Sequence, residues 1–496
     1  MRRSLKVAPT RVHSLSCTAM LARTATFVAV ALTAFVASPA AAAEEAKPLV
    51  LVVHPAPEPY PALKYQFHPG LADRYPGNAA VEYGKVTAEQ RQMFGNADLW
   101  KDILRWLEAP LSDLRKEEAY KKTDFAKIFH DLDRAAACES CDWQLPIGKE
   151  PFYSILLSEL QQTRDFARLL GVRARAEVAE GRFDDAIARL RAGYRLAQHV
   201  DEGQTLIHSL VSAAIAKILS AQIQEFVQQP GSPNLYWALT ALPSPLIDAR
   251  PGIDGERDAL YLTFEDLDKV EGANWPADRW QEVFDRVAAG MAEYRVLQGD
   301  ADPRKELAER TSRLLPAAKQ YLIGHGYTAD QVEGMPAPRV AMLYSVKLYN
   351  ELRDEMLKWY YVPYWQGRKH LEQVTERVER LGRERQEILP LASETLPAMP
   401  RARNTLVRAD REIALWRLVE ALRMYGAGHQ SRLPEKLDAV TEVAIPLDPV
   451  SGETFRYSLR GETAIIEGVP LPEPPSILKD SPKPDAPLRV EVRFAK

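Results

Sequence analysis

The stretch LIHSLVSAAIAKIL, residues 206–219, limits what this chain can fold into more than any other part of it. Leu206, Ile207, Leu210, Val211, Ala214, Ile215, Ile218 and Leu219 recur at i, i+1, i+4 and i+5, which gives a helix one broad apolar face. The other side carries Ser209, Ala213, Ala216 and Ser220, small residues that let a neighbouring helix come close. A helix apolar on one side and small on the other has to be covered on both, so it is expected to be the inner rod of a helical body. His208 and Lys217 interrupt the run, which as it stands is too short to cross a membrane.

Helical grammar surrounds the rod from Thr87 to about Leu396. Thr87 with Gln90 reads as an N-cap signal. Trp100, Ile103, Leu104 and Leu107 make an apolar stripe ended by Pro110, and Ser112 can cap the helix that follows. Phe125, Ile128, Phe129 and Leu132 mark a helix ending near Cys138. A long helix over 152–180 is broken by Gly181, a second covers 182–199, and Asp201-Glu202-Gly203 turns the chain into the rod, which Gln229-Pro230-Gly231 stops. Further helices are expected over 279–297, 303–323, 339–381 with a kink at Pro363, and 403–425 behind Pro400.

Strand signals sit at the two ends. LVLVV (49–53) precedes Pro55, Pro57, Pro59 and Pro61, and Leu63, Tyr65 and Phe67 then alternate as in a half-buried strand. Near the C-terminus Asp448-Pro449-Val450-Ser451-Gly452 has turn preferences, TFRYSL and TAIIE flank Arg460-Gly461 as a hairpin, and Leu488, Val490, Val492 and Phe494 alternate strictly with charges. Isolated strands leave unpaired edges, so the N-terminal strands and the final strand are expected to share one small sheet. The fold class is therefore mainly α: a multi-helix body with a small β-sheet and hairpin formed by the chain ends. The expected divisions are a signal peptide (1–43), an extended segment with short strands (44–86), the helical body (87–400), a C-terminal helix and hairpin (401–468), and a Pro-rich linker with the final strand (469–496).

The signal-peptide reading rests on Arg2, Arg3, Lys6, Arg11 and Arg23 without an acid, an apolar core over 24–36, and Ala41-Ala42-Ala43 before Glu44. Cleavage is expected near Ala43, for a periplasmic or extracellular destination; an anchor kept in place is the rival. Cleavage takes five of the 64 basic residues and no acid, leaving 59 against 68 acidic ones. That balance gives nucleic acid no support as a partner.

Three resemblances follow from particular residues. In AEGRFDDAIARLRAGYRLA (179–197), Gly181, Phe183, Ala186, Ile187, Leu190 and Gly193 make the segment similar to the second half of a tetratricopeptide repeat; no 34-residue period recurs. Residues 416–467, with LRMYGAGH, LPEKL and the DPxSGxxFxY pattern, resemble the soluble part of type II secretion pseudopilins. The pseudopilin N-terminal helix and acidic calcium loop are missing, which implies a shared mini-fold rather than a pilus subunit. Through PALKY (61–65), PGNAA (76–80), CDW (141–143), PNLYWAL (233–239), KWYYVPYW (358–365) and DPVSGETFRY (448–457), the chain resembles exported planctomycete-type proteins of unknown function. That resemblance implies export and supplies no reaction.

Candidate chemistry is sparse. Cys138-Glu139-Ser140-Cys141 has CxxC spacing, but it follows a helix end, where a thioredoxin-like site starts a helix. Asp142 stands where c-type haem attachment needs a histidine, and only His130 and Asp131 are near enough in sequence to help bind zinc. The pair is left as a local disulfide or as two unpaired thiols. Trp359, Tyr360, Tyr361, Tyr364 and Trp365 form an aromatic cluster; on one helix Tyr361, Tyr364 and Trp365 would share a face. Such spacing belongs more often to a core than to a ligand surface, for which Trp359, Tyr361, Tyr364 and Trp365 are the candidates. In the rod, Lys217 should reach the edge or meet Glu180, Asp184, Asp185 or Glu202, and His208 with Glu202 and His199 is the candidate acid–base group. The acids Glu265, Asp266 and Asp268, and Glu351, Asp354 and Glu355, lie among basic residues as surface pairs do. HExxH, GxSxG, P-loop, GxGxxG and EF-hand patterns are all absent, and the one SxxK (476–479) lies in the Pro-rich linker.

The reading is an exported helical protein, non-enzymatic, that binds or scaffolds an envelope protein or peptide, with no cofactor, no metal and no transmembrane span in the mature chain. The alternatives are a hydrolase with its site between helices and an accessory of a secretion system.

Overall fold

The computed structural model describes residues 48–117, 120–121, 123, 125–293, 303–471 and 488–496. The signal segment, residues 294–297 of one expected helix, the SxxK and most of the Pro-rich linker lie outside these. The rod is helix α6, Leu206–Val227, and it runs on past Leu219 to 22 residues. It is therefore long and apolar enough to cross a membrane, contrary to the expectation from its first 14 residues, and two-thirds of it (67%) is buried inside the protein. Helices α4 (Ser158–Ala179), α5 (Phe183–Asp201) and α12 (Met399–Gly428) pack along it.

Both sides of the rod are covered, as its sequence requires. Ser209, Ala213, Ala216 and Ser220 are all buried, and Trp416 of α12 donates its indole N–H to Ser220 Oγ at 2.5 Å. On another side Leu219 lies against Gly193 of α5, where a Cβ would come within 2.5 Å of the leucine, and Ser212 donates to the Ala197 carbonyl at 2.7 Å. Burying a leucine completely, as at Leu219, is worth about 2 kcal/mol. Lys217 reaches the exposed edge, and the acid that feels its charge is Glu412 of α12, none of the four expected.

The other long helices are α1 (Ala79–Glu89), α2 (Ala97–Glu108), α3 (Ala126–Ala136), α7 (Arg250–Thr263), α8 (Ala277–Glu293), α9 (Pro303–Gly324), α10 (Ala337–Leu357) and α11 (Tyr364–Arg383). Several differ from expectation. Asn78 caps α1, and Thr87 lies inside it, donating its hydroxyl to Gln162 at 2.9 Å. On α2, Trp106 enters the core in place of Leu104, which is exposed. Helix α4 starts only at Ser158, after a single 3₁₀ turn at Phe152–Ser154. Pro363 does more than kink a helix: with ψ near 142° it separates α10 from α11.

The chain ends meet in one sheet ordered β1 (Leu49–Val53), β6 (Arg489–Phe494), β5 (Thr463–Glu467), β4 (Arg456–Arg460). The final strand is interior to it, parallel to β1 and antiparallel to β5. Residues 63–67 are not a strand. Tyr65 instead turns inward to donate to Asp184 at 2.8 Å, Phe67 packs on Tyr194, and the Gln66 carbonyl accepts from Arg191. A second, two-stranded parallel ladder pairs β2 (Tyr75–Asn78) with β3 (Cys138–Ser140). Two buried arginines of α12 tie the ends to the helices. Arg411 makes a bidentate pair with Asp448 of the turn, and Arg423 bonds Glu420, the His54 carbonyl and Ser232. One continuous apolar core runs from Leu51 to Val492.

Candidate functional site

The joint between α5 and α6 brings the three sequence candidates together. His199 is in the last turn of α5, Glu202 follows that helix, and His208 is in the first turn of α6. The partner segment is the CxxC stretch, held beneath by β2. Its Cys141 amide donates to Glu202 Oε2 at 2.7 Å, and its Cys138 carbonyl lies 3.1 Å from His199 Nε2. A carbonyl only accepts, so Nε2 carries the proton. Nδ1 then accepts from the Tyr83 hydroxyl at 3.1 Å. Trp143 donates to the His199 carbonyl at 2.9 Å, and its ring lies 6.2 Å from that of His208, whose Nδ1 sits 2.7 Å from Thr205 Oγ1.

These imidazoles are neutral fixtures. Burial lowers His199 to about 3, helped by the positive charge of Arg195, and burial lowers His208 to about 4. Burial also raises the Glu202 carboxyl and both thiols, with Glu82 adding to Cys138 and Glu202 to Cys141. Raised thiols are poor nucleophiles, the reverse of a redox-active CxxC. Both cysteines are free. Cys138 opens the extended strand β3 and Cys141 follows its end, so the stretched backbone between them works against the Cα approach, under roughly 7 Å, that a disulfide needs.

The aromatic cluster is divided by the break at Pro363. Trp359 stacks on His370, with ring centroids 4.1 Å apart. Tyr364 is buried and donates to Asn404 at 2.8 Å. Tyr361 is half-exposed and reaches Asp254, while Trp365, also half-exposed, has its ring against Gly452 of the Asp448 turn. The shared face expected for Tyr361, Tyr364 and Trp365 does not form, because only the last two belong to a common helix. The acidic clusters are paired: Asp266 meets Lys269, Arg279 and Arg286, and Glu351 meets Arg377. Among the described residues no group of three His, Cys, Asp or Glu side chains is placed to hold a metal.

Two surface clefts of about 390 Å³ lie elsewhere. Charged side chains of α9 and of the α11 end line one, including Arg310, Arg313 and Arg385; Tyr65, Phe183, Asp184 and Asp185 line the other. Neither is lined by His199, Glu202 or His208. Sequence reasoning missed Tyr83, Asp201 and Glu256 at the joint. Tyr83 is 116 residues from His199 and lies in the stretch expected to be extended, whose end the structure makes helix α1. No protein-family model, curated protein or solved structure matches the chain.

Proposed function

We propose that this chain is an exported, non-enzymatic helical protein that binds or scaffolds another component of the cell envelope. The observation that carries the reading is His199: both ring nitrogens are used by Tyr83 and the Cys138 carbonyl, at a position sealed from solvent, so one of the three acid–base candidates serves the frame. Export rests on residues 1–43. The left-handed Gly181 between α4 and α5, with Ala186, Ile187 and Leu190 buried behind it, supports a tetratricopeptide-like hairpin as the binding scaffold. The β4–β5 hairpin after the Asp448 turn supports kinship of the C-terminal part with the pseudopilin mini-fold.

The test is a pull-down of residues 44–496 from envelope extracts, followed by rebuilding any complex from purified components. A stoichiometric complex supports the reading. Turnover of a hydrolase substrate that is lost in His199→Gln and His208→Gln, with no complex formed, overturns it. Truncation at 404 is unsuitable for mapping a C-terminal partner, since it removes most of α12 along with β4, β5 and β6. Charge reversal at Arg456 and Arg460 on the outer strand β4 serves instead.

A further inference from the structure

Strand β4 is an edge of the terminal sheet, with β5 on one side and no strand on the other among the described residues. A two-residue loop, Gly461-Glu462, joins it to β5, with Gly461 at a φ of 59°. In a hairpin of that kind the residues flanking the loop, Arg460 and Thr463, exchange both main-chain hydrogen bonds. By alternation Ser458 and Arg456 also bond to β5, while Tyr457 and Leu459 turn their N–H and C=O groups outward. The chain entering β4 keeps the same alternation, since the Glu453 carbonyl accepts on the outer side from the Asp448 amide at 2.7 Å. Past that contact, the outward main-chain groups of Tyr457 and Leu459 have no partner among the described residues.

Side chains alternate too. Arg456, Ser458 and Arg460 are exposed on one face; Tyr457 and Leu459 are half-buried on the other, where the Tyr457 hydroxyl donates to the Pro434 carbonyl at 2.6 Å. The two arginines lack acids of their own. Glu467, opposite Arg456 on β5, is taken by Arg489 at 3.4 Å, and Arg460 stands opposite Thr463. Neither arginine has a carboxylate within 4 Å among the described residues. Two uncompensated cations thus flank an open hydrogen-bonding edge.

We propose that β4 accepts an added strand from a partner protein: an extended acidic segment with two acids four residues apart against Arg456 and Arg460, and apolar side chains beside Tyr457 and Leu459. This rests on the binding reading above and gives it a surface. Charge selects the occupant. A second copy of this chain, added antiparallel about Ser458, would set each Arg456 opposite an Arg460, and like charges directly opposite repel. The chain's own Pro-rich linker fits no better, because its longest proline-free stretch, residues 476–481, carries Lys479 and a single acid, Asp480. An anionic lipid surface would meet the charges and leave the outward N–H and C=O groups unpaired.

The test is fluorescence anisotropy of a labelled peptide carrying Glu-Val-Thr-Val-Glu with the purified 44–496 chain, followed by hydrogen exchange of the complex. Saturable binding is expected, with slowed exchange of the 457 and 459 amides. Affinity should fall about tenfold or more in the double variant Arg456→Glu, Arg460→Glu. That variant should instead prefer Lys-Val-Thr-Val-Lys, a reversal that a damaged sheet would not give. Methylating the amide nitrogens of both valines should abolish binding, because those N–H groups pair with β4. Arginines that merely guard the edge against self-pairing would leave the peptide unbound, which overturns the proposal. So would equal binding of the methylated peptide, binding to anionic vesicles alone, or a dimer of the chain that the double variant dissolves. A stoichiometric complex in the pull-down that survives the double variant also overturns it, while the binding reading stands.

Discussion

Arg423 and Glu420 form an ion pair with both side chains wholly buried, Nη1 lying 2.9 Å from each carboxylate oxygen. Arg423 also holds the His54 carbonyl and Ser232, while Asn234 donates to the Ala56 and Glu420 carbonyls. One turn of α12 therefore fixes the segment after β1 and the chain leaving the rod.

Removing one member of such a pair leaves a buried charge uncompensated. Arg423→Met is predicted to cost about 3–5 kcal/mol, and Arg423→Met with Glu420→Leu less than the sum of the two single changes. Urea unfolding of the four proteins completes the cycle; additive losses would count against the pair acting as a unit.

Gly193→Ala drives a methyl group into Leu219. We predict a loss of about 1–3 kcal/mol in chemical denaturation, partly recovered when Leu219→Val makes room. The same change at Gly84, where a Cβ meets nothing within 4 Å, should not destabilise and serves as the control.

His199 gives a pH dependence of definite sign. Its folded value, about 3, lies below the unfolded 6.5, so below 6.5 the unfolded chain binds the extra proton. Its contribution is thus intact above pH 6.5 and is lost as pH falls toward 3, at about 1.4 kcal/mol for each unit of separation. His199→Gln should flatten that limb of the stability profile, and the ring signals in NMR should show a neutral imidazole with the proton on Nε2 at pH 5.

Thiol chemistry checks the CxxC segment. In a chain starting at residue 44, Cys138 and Cys141 are predicted to resist a thiol reagent in the native state and to react, both of them, on unfolding without reductant. Finding no reactive thiol in the unfolded chain would mean that the two are bridged and β3 is not extended.

The rod, the helical body and the meeting of the chain ends were legible in the sequence because each follows from local periodicity together with the need to cover an apolar face. Residues 63–67 misled because Tyr65 and Phe67 do go inside, as a strand's alternate residues would. They do so from a loop whose Gln66 carbonyl is satisfied by Arg191, a partner 125 residues away. Proximity along the chain to the Asp201–Gly203 turn made His199, Glu202 and His208 visible. Their partners Tyr83, Cys138 and Trp143 were not, since packing of α1 and β3 against α5 brings them there. Asp201 and Glu256 look like ordinary surface acids in the sequence, and only the close seating of α7 on the joint brings Glu256 to the Leu206 amide, 3.4 Å away.

The central claim is that the α5–α6 joint is frame and that the protein works by binding. Sedimentation of the purified 44–496 chain, with the envelope component recovered from the pull-down, tests it most directly when the parent protein and His208→Gln are compared. The account predicts a discrete complex of fixed stoichiometry for the parent, and the same complex for every His208→Gln molecule that is folded. No complex with the parent, together with a substrate that it turns over and folded His208→Gln does not, would contradict it.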